Sequence, residues 1–200
     1  MDFEYRGSTL KFNRVLSELD SLVIGFAEIL EKAKIKYVII SGYVTILFGR
    51  SRTTEDIDVF VPESDLDDFK KMFNLLVDGG YHLVDSDSLE DAFDRLQNSL
   101  SIRVAKENTI IPNFEIKFPN NRIALKALND PLQVVVNGKR LYVSRFEIQI
   151  PFKISLGGKK DIEDALHLYE LFKEKLDKGL MTGFAKELKV EKEMKKYGIV

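Results

Sequence analysis

The chain has 200 residues, of which 44% are hydrophobic and 31% charged, with a formal net charge of -2. This length suits one domain, or one domain with a helical extension, and the balanced charge excludes a global basic surface for nucleic acid. The absence of cysteine excludes disulfides, thiolate metal sites and a cysteine nucleophile. No segment looks like a signal peptide, and no apolar run reaches the roughly 20 residues of a membrane helix, so we expect a cytoplasmic protein without a membrane partner.

The first third of the chain predicts a helix, a strand, a turn, a short helix and a second strand. Apolar residues spaced by three and four predict an amphipathic helix over residues 10–33. The β-branched run 37–40 predicts a buried strand, and the chain turns at Ser41–Gly42. A short helix over 43–48 precedes a strand over 56–61.

The remaining elements alternate in the same way. Acidic residues begin a helix at 65–77, which Gly79–Gly80 ends. A hairpin is predicted around Asn137–Gly138. We also expect a helix or turn at 89–96, strands at 101–105 and 113–118, a helix from Ser144 to about 156 that Pro151 kinks or shortens, a helix at 161–176, and a peripheral charged helix at 185–196.

Strands interleaved with helices predict an α/β (α+β) fold, with one mixed β-sheet flanked by helices. We divide the chain into a core at residues 1–143, which includes the N-terminal helix, and a C-terminal helical segment at 144–200 that packs on it. Within the core, Asp56 and Asp58 alternate with apolar residues, so both carboxylates point to the same face of their strand. They repel each other, and hard oxygen ligands of this kind suit Mg²⁺ or Mn²⁺. The alternative is an exposed polar pair at a strand edge.

The Ser41–Gly42 turn and the carboxylate strand, with thirteen residues between Gly42 and Asp56, resemble the signature of the nucleotidyltransferase superfamily. That signature is a glycine-rich turn followed by Asp–hydrophobic–Asp–hydrophobic. The run from Arg50 to Asp58 is similar to the Arg–Thr–Thr–x–Asp–Ile–Asp version of the small prokaryotic branch that includes AbiE-type toxins of toxin–antitoxin systems. The chain departs from the family at the turn, where Ser41–Gly42 and then Tyr43 replace Gly followed by Gly or Ser.

The resemblance implies the nucleotidyltransferase fold and a third carboxylate on a later strand. Glu115 matches that carboxylate by position, because it alternates with apolar residues in the segment 113–118. The resemblance therefore implies Asp56, Asp58 and Glu115 as catalytic metal ligands. Glu147 and Asp130 are weaker alternatives, and an ordinary strand residue paired with Lys117 is the other interpretation of Glu115.

Several residues are candidates for binding the triphosphate of a nucleotide. The amides after Ser41 and Gly42 are unpaired at a helix start and suit phosphate. Arg52 and Thr54 lie between the turn and the carboxylates, and Arg52 could pair with a phosphate, Asp56 or Glu55. The segment with Lys153, Lys160, Asp161 and Asp164 resembles the family's Lys, then Lys–Asp–x–x–Asp, whose basic groups face the triphosphate. The alternative is a capped helix start with solvated lysines.

These patterns favour a metal-dependent nucleotidyltransferase that moves a nucleoside monophosphate from an NTP to a hydroxyl or phosphate acceptor. The acceptor stays open between RNA, a protein side chain and a small molecule. A second hypothesis is a weakly active or inactive protein of the same fold that serves as a nucleotide-binding module or a toxin–antitoxin component, with an antitoxin as its partner. A third is a regulatory nucleotide-binding protein, which would not need three carboxylates.

Overall fold

A computed structural model describes residues 3–199 of the chain. Its described part contains nine strands in one sheet and nine helices. The strands are β1 Glu4–Arg6, β2 Thr9–Phe12, β3 Val38–Ile40, β4 Asp56–Phe60, β5 Tyr81–Leu83, β6 Ile102–Lys106, β7 Asn113–Lys117, β8 Leu132–Val136 and β9 Lys139–Val143. The helices are α1 Glu18–Lys32, α2 Gly42–Leu47, α3 Leu66–Asp78, α4 Leu89–Gln97, α5 Arg122–Asn129, α6 Phe146–Leu156, α7 Lys159–Phe172, α8 Lys178–Glu187 and α9 Glu191–Lys196.

The sheet is mixed, which confirms the predicted fold class. Its strand order is β1-β2-β8-β9-β3-β4-β7-β6-β5. The carboxylate strand β4 lies in the middle, antiparallel to β3 and parallel to β7. β4 and β7 bury their apolar side chains together, because Ile57, Val59, Phe114 and Ile116 are all inaccessible to solvent, and Val38 of β3 is inaccessible as well. A central strand buried in this way holds its register firmly, since a slip of one residue would expose its apolar side.

The main apolar core extends through both predicted parts of the chain, from Leu10 to Ile199. Phe146 of α6 stacks on Phe172 of α7 at 4.2 Å between ring centroids, and both contact Phe48 beside α2. The C-terminal helices are therefore packed directly against the turn region. The division at residue 143 stays a prediction. No helix within residues 3–199 has the length and apolar character needed to cross a membrane.

The N-terminal helix prediction was wrong at its beginning. Residues 9–12 form β2 instead, which pairs with β8, and the helix begins only after Ser17. Leu10 and Phe12 are buried while Lys11 is exposed, which is the period of a strand. Ser17 and Asp20 form a capping box that fixes the helix start. The apolar residues of β2 happen to continue the three-and-four spacing of α1, so this pattern did not mark the boundary between strand and helix.

One of two C-terminal predictions also needs correction. The predicted end of α6 near residue 156 is confirmed, so Pro151 does not shorten the helix, and burial on nearly every side holds it together. The kink at Pro151 stays a prediction. The predicted tail helix is two helices, α8 and α9, and the chain between them reverses at Lys189 with a φ of 60°. β1, β5 and α5 were not predicted from the sequence, since each is short and depends on its neighbours for stability.

Candidate active site

The turn between β3 and α2 has an unusual backbone conformation at Ser41. Its φ is 62° and its ψ is -129°, a region that residues with a Cβ rarely adopt. Glycine adopts it without strain, so the order Ser41–Gly42 puts the side chain at the costly position. Gly42 is needed for another reason, because a Cβ there would lie 2.7 Å from Nη2 of Arg52. The turn is therefore strained at one residue and tightly packed at the next.

The bulky residue after the turn, Tyr43, does not crowd this site. Its side chain is fully buried, and its hydroxyl donates a hydrogen bond of 2.9 Å to Oδ1 of Asp20 on α1. Burial, and then the Asp20 carboxylate, raise the pKa of Tyr43 well above its usual value. Tyr43 anchors α2 to α1, and the space in front of the turn stays open.

The three predicted carboxylates lie on two neighbouring strands. In the parallel pair of β4 and β7, Asp58 stands opposite Glu115 and Asp56 opposite Asn113. Aligned residues of adjacent strands project to the same face, so Asp56, Asp58 and Glu115 share one face of the sheet. Nδ2 of Asn113 donates to Oδ1 of Asp56 at 3.2 Å. This arrangement brings the three side chains together from positions up to 59 residues apart.

Lys117 of β7 lies between two of these carboxylates. Its ammonium is 2.7 Å from Oδ1 of Asp58 and 2.9 Å from Oε2 of Glu115. Arg103 of β6 contacts Glu115 from the other side at 3.4 Å. Burial alone would raise the pKa of Glu115, but Lys117 and Arg103 outweigh it and hold that pKa below its usual value. Likewise, burial opposes the charge on Lys117, while Asp58 and Glu115 raise the pKa of its ammonium.

A second group of charges links the loop before β4 to α6 and α7. The buried carboxylate of Asp164 pairs with Arg52, lies 3.3 Å from Nε of Arg50 and lies 3.2 Å from the ammonium of Lys153. Lys153 is only 2% exposed and also contacts Asp161 at 2.7 Å. We call these residues, together with Glu163 beside Arg50, the Asp164 network.

Two of the four predicted phosphate-binding side chains, Arg52 and Lys153, belong to the Asp164 network. Arg52 pairs with Asp164 rather than with Asp56 or Glu55, and its guanidinium packs against Gly42. Thr54 donates its hydroxyl to the backbone carbonyl of Asp56 at 3.0 Å. Lys160, in contrast, is exposed and has no ion-pair partner within residues 3–199. The phosphate-binding role of Arg52, Thr54, Lys153 and Lys160 stays a prediction.

A cavity of about 620 Å³ opens beside Asp58. Ser41, Asp58 and Lys117 line one side of it, and α5, α6 and α8 form the other. Its walls are mainly apolar, with polar groups such as Ser144 and Gln149 among them. A concave, largely apolar pocket beside a few charged groups is the usual form of a small-molecule site.

The two weaker carboxylate candidates lie away from this face. Glu147 is buried in α6 and accepts a hydrogen bond of 3.0 Å from the backbone N–H of Asp177. Asp130 follows α5 and pairs with Lys126 and Arg145. Neither stands on a strand beside Asp58, which leaves Glu115 as the third carboxylate of the face.

The donor set suits a hard divalent cation in kind, because it consists of carboxylate oxygens on one face of two adjacent strands. Within the described residues, no three acidic or histidine side chains already converge on one metal position. In this conformation the ammonium of Lys117 lies between Asp58 and Glu115 and contacts both. The carboxylates are therefore suitable metal ligands in kind, and the ammonium of Lys117 pairs with two of them, Asp58 and Glu115.

Comparisons with known proteins support the fold. No family model matches the chain, and no curated protein matches it. Among solved structures, it is similar to an antigenic nucleotidyltransferase-like protein from Paracoccidioides brasiliensis, with a TM-score of 0.56 and 16% identity over 90% of this chain and 91% of the other. It is also similar to the antibiotic-resistance factor ANT(2'')-Ia, with a TM-score of 0.53 and 10% identity over 89% and 95% of the two chains. The chain thus has the nucleotidyltransferase fold.

Sequence reasoning named Lys117 as a possible partner of Glu115, and the structure confirms that pair. It missed the contact of Lys117 with Asp58 and the central place of Asp164. Lys117 is two residues from Glu115, so strand alternation alone places both on one face. That signal was present in the sequence and pointed to an ion pair. The partner of Asp164 could not be found in the same way, because Arg52 lies 112 residues away.

Proposed function

We propose that this protein is a metal-dependent nucleotidyltransferase. The observation that carries the proposal is the register of β4 and β7, which brings Asp56, Asp58 and Glu115 to one face of the sheet. Of these three, Asp58 lines a cavity of about 620 Å³. Phosphoryl transfer depends on positioning and on neutralising charge, and three carboxylates beside a pocket serve both needs. The fold supports this class of activity, and the carboxylate face supports the choice of reaction.

In the proposed reaction, the acceptor oxygen forms a bond to the α-phosphorus of an NTP. The bond from that phosphorus to the bridging oxygen breaks, pyrophosphate leaves with the electron pair, and the acceptor proton passes to water. Asp56, Asp58 and Glu115 would hold Mg²⁺ or Mn²⁺, which would neutralise the triphosphate and orient the attacking oxygen. The amides after Ser41 face the phosphates, and the exposed Lys160 supplies positive charge.

Arg52 and Lys153 have a different proposed role. Both are bound to Asp164, and they hold the turn against α6 and α7. They therefore position Gly42 and Ser41 rather than reach the nucleotide in this conformation. The base and the acceptor share the cavity between the carboxylate face and the C-terminal helices. RNA, a protein side chain and a small molecule all stay candidates for the acceptor.

A decisive test incubates the protein with each α-³²P-labelled NTP, Mg²⁺ or Mn²⁺, and total cellular RNA, protein or small metabolites. We expect label to move to one acceptor class, and Asp56→Asn or Asp58→Asn to reduce transfer about a hundredfold or more. Asp94→Asn on the exposed side of α4 makes the same chemical change away from the site and should keep full activity. Equal transfer by all four proteins would refute the assignment.

One observation favours a second candidate function. Lys117 and Arg103 together balance the charges of Asp58 and Glu115, so the fold does not depend on a metal for charge balance at these two residues. A nucleotide-binding module without turnover, or a component of a toxin–antitoxin pair with an antitoxin partner, would suit such a site. Nucleotide binding without transfer of label would support this candidate. The run from Arg50 to Asp58 is the support for the AbiE-like branch. The proposed cytoplasmic location is supported by the absence of cysteine, which suits a reducing compartment.

A further inference from the structure

The ammonium of Lys117 uses oxygens that a metal would need. It lies within hydrogen-bond distance of Oδ1 of Asp58 and Oε2 of Glu115, at 2.7 and 2.9 Å. Mg²⁺ binds its oxygen ligands at about 2.0–2.1 Å. Two cations on the same pair of oxygens would repel each other at close range, so each weakens the binding of the other. Lysine and metal thus compete at this position.

The balance of charge on this face leaves the lysine contact weak enough to break. Three carboxylates, Asp56, Asp58 and Glu115, face two cations, Lys117 and Arg103, so the group keeps one net negative charge. The side chain of Lys117 is 32% exposed and those of Asp58 and Glu115 are 20% and 16% exposed, so water screens these ion pairs in part. A divalent cation would bring more charge to the same oxygens. It therefore has an electrostatic reason to replace the ammonium.

The side chain of Lys117 also borders space for a second conformation, in the cavity that it lines. Its flexible four-carbon stem carries a compact charge that is not tied to one geometry, unlike a guanidinium. The residue lines the cavity next to Asp58 and Ser41, so its ammonium can turn from the carboxylates towards the pocket. There it would face the negatively charged phosphates of a bound nucleotide rather than the carboxylates.

We propose that Lys117 is a built-in competitor for the metal, which holds Asp58 and Glu115 in the metal-free protein and gives them up when a divalent cation binds. The inference rests on the metal site of the proposed function. It makes Lys117 a positioning residue, because it keeps two repelling carboxylates at adjacent register positions before the metal arrives. It also predicts that the metal-free site binds cations less tightly than its carboxylates alone would.

The test measures Mn²⁺ binding to the full chain without nucleotide, from the electron paramagnetic resonance signal of free Mn²⁺. Lys117→Gln should bind Mn²⁺ about tenfold or more tighter than wild type, because the competing charge is gone. Lys117→Arg keeps the charge and should stay near the wild-type affinity. Arg103→Gln is the matched control, since it removes a cation from the same Glu115 without freeing Asp58. It should change the affinity by less than about threefold.

Thermal melting separates competition from a purely structural role. Lys117→Gln should melt below wild type in chelator, because two carboxylates lose their shared partner, and Mn²⁺ should raise its melting temperature more than that of wild type. A Lys117→Gln affinity equal to that of wild type or Arg103→Gln would overturn the inference. So would a variant that stays unfolded even with Mn²⁺.

The outcomes also separate this inference from the proposed function. If wild type binds Mn²⁺, Asp58→Asn does not, and Lys117→Gln matches wild type, the metal site stands and the competition is refuted. If neither wild type nor Lys117→Gln binds Mn²⁺, the metal site itself is refuted, and the competition with it. If Lys117→Gln binds Mn²⁺ more tightly than wild type and Arg103→Gln does not, both the metal site and the competition are supported.

Discussion

Two clusters of charged side chains lie beside the Ser41 turn, and they differ in burial and in net charge. The Asp164 network contains three acids, Asp161, Glu163 and Asp164, and three bases, Arg50, Arg52 and Lys153, so its charges cancel. At its centre, Asp164 is fully buried and Lys153 is 2% exposed. The carboxylate face instead has three acids and two bases and opens on a cavity.

This difference separates structure from function. A buried, balanced network has no charge left for a ligand, and breaking it leaves an uncompensated ion in the interior. A partly exposed cluster with surplus negative charge is the place where we propose that an internal cation is exchanged for one from solvent. The comparison also explains why Arg52 and Lys153 are poor candidates for direct phosphate contact in this conformation, although their types suggest it. Substitutions in each region test this difference.

The largest expected effect comes from the centre of the closed network. Asp164→Asn should lower the free energy of unfolding by about 3–5 kcal/mol, because Arg52 and Lys153 would then lack their shared carboxylate in a buried place. Urea denaturation followed by circular dichroism measures this. Glu163→Gln, whose side chain is 44% exposed, should cost less than about 1 kcal/mol. Equal effects of the two changes would mean that the network is not closed.

The turn between the clusters should respond in the opposite direction. Ser41→Gly removes the Cβ from a backbone with a φ of 62° and should raise the free energy of unfolding by about 1 kcal/mol. Ser41→Ala keeps the Cβ and the strain, so it should bring no such gain. Denaturation of both variants beside wild type measures the difference. A gain in Ser41→Ala as large as that in Ser41→Gly would show that the hydroxyl, rather than the backbone, carries the cost.

The smallest effect concerns pH at the open cluster. The pKa of Glu115 lies below its usual value of 4.5 in the folded protein, since Lys117 and Arg103 outweigh its burial. A depressed folded pKa stabilises the protein above the unfolded pKa, and that stability is lost as pH falls through the folded pKa. In chelator, wild type should therefore lose stability more steeply below about pH 4.5 than Glu115→Gln does. Parallel pH profiles of melting temperature would contradict this ion pairing.

The spacing of apolar residues along a single segment was enough to predict several features from the sequence. Alternation along β4 places Asp56 and Asp58 on one face and buries Ile57 and Val59, whatever the neighbouring strands are. The same reasoning located most helices and strands, because apolar spacing is a property of the segment alone. It also placed Glu115 and Lys117 on one face of β7, so half of the later ion pairing was already visible in the sequence.

Tertiary structure decided which of these faces meet. Only the parallel register of β4 and β7 brings Glu115 opposite Asp58, and only the packing of α7 gives Asp164 to Arg52, 112 residues away. Residues 9–12 became a strand because β8 offers them a partner. The burial of Tyr43 depends on Asp20 in another helix. Such contacts join segments distant along the chain, so their energies depend on the assembled fold and not on any local pattern.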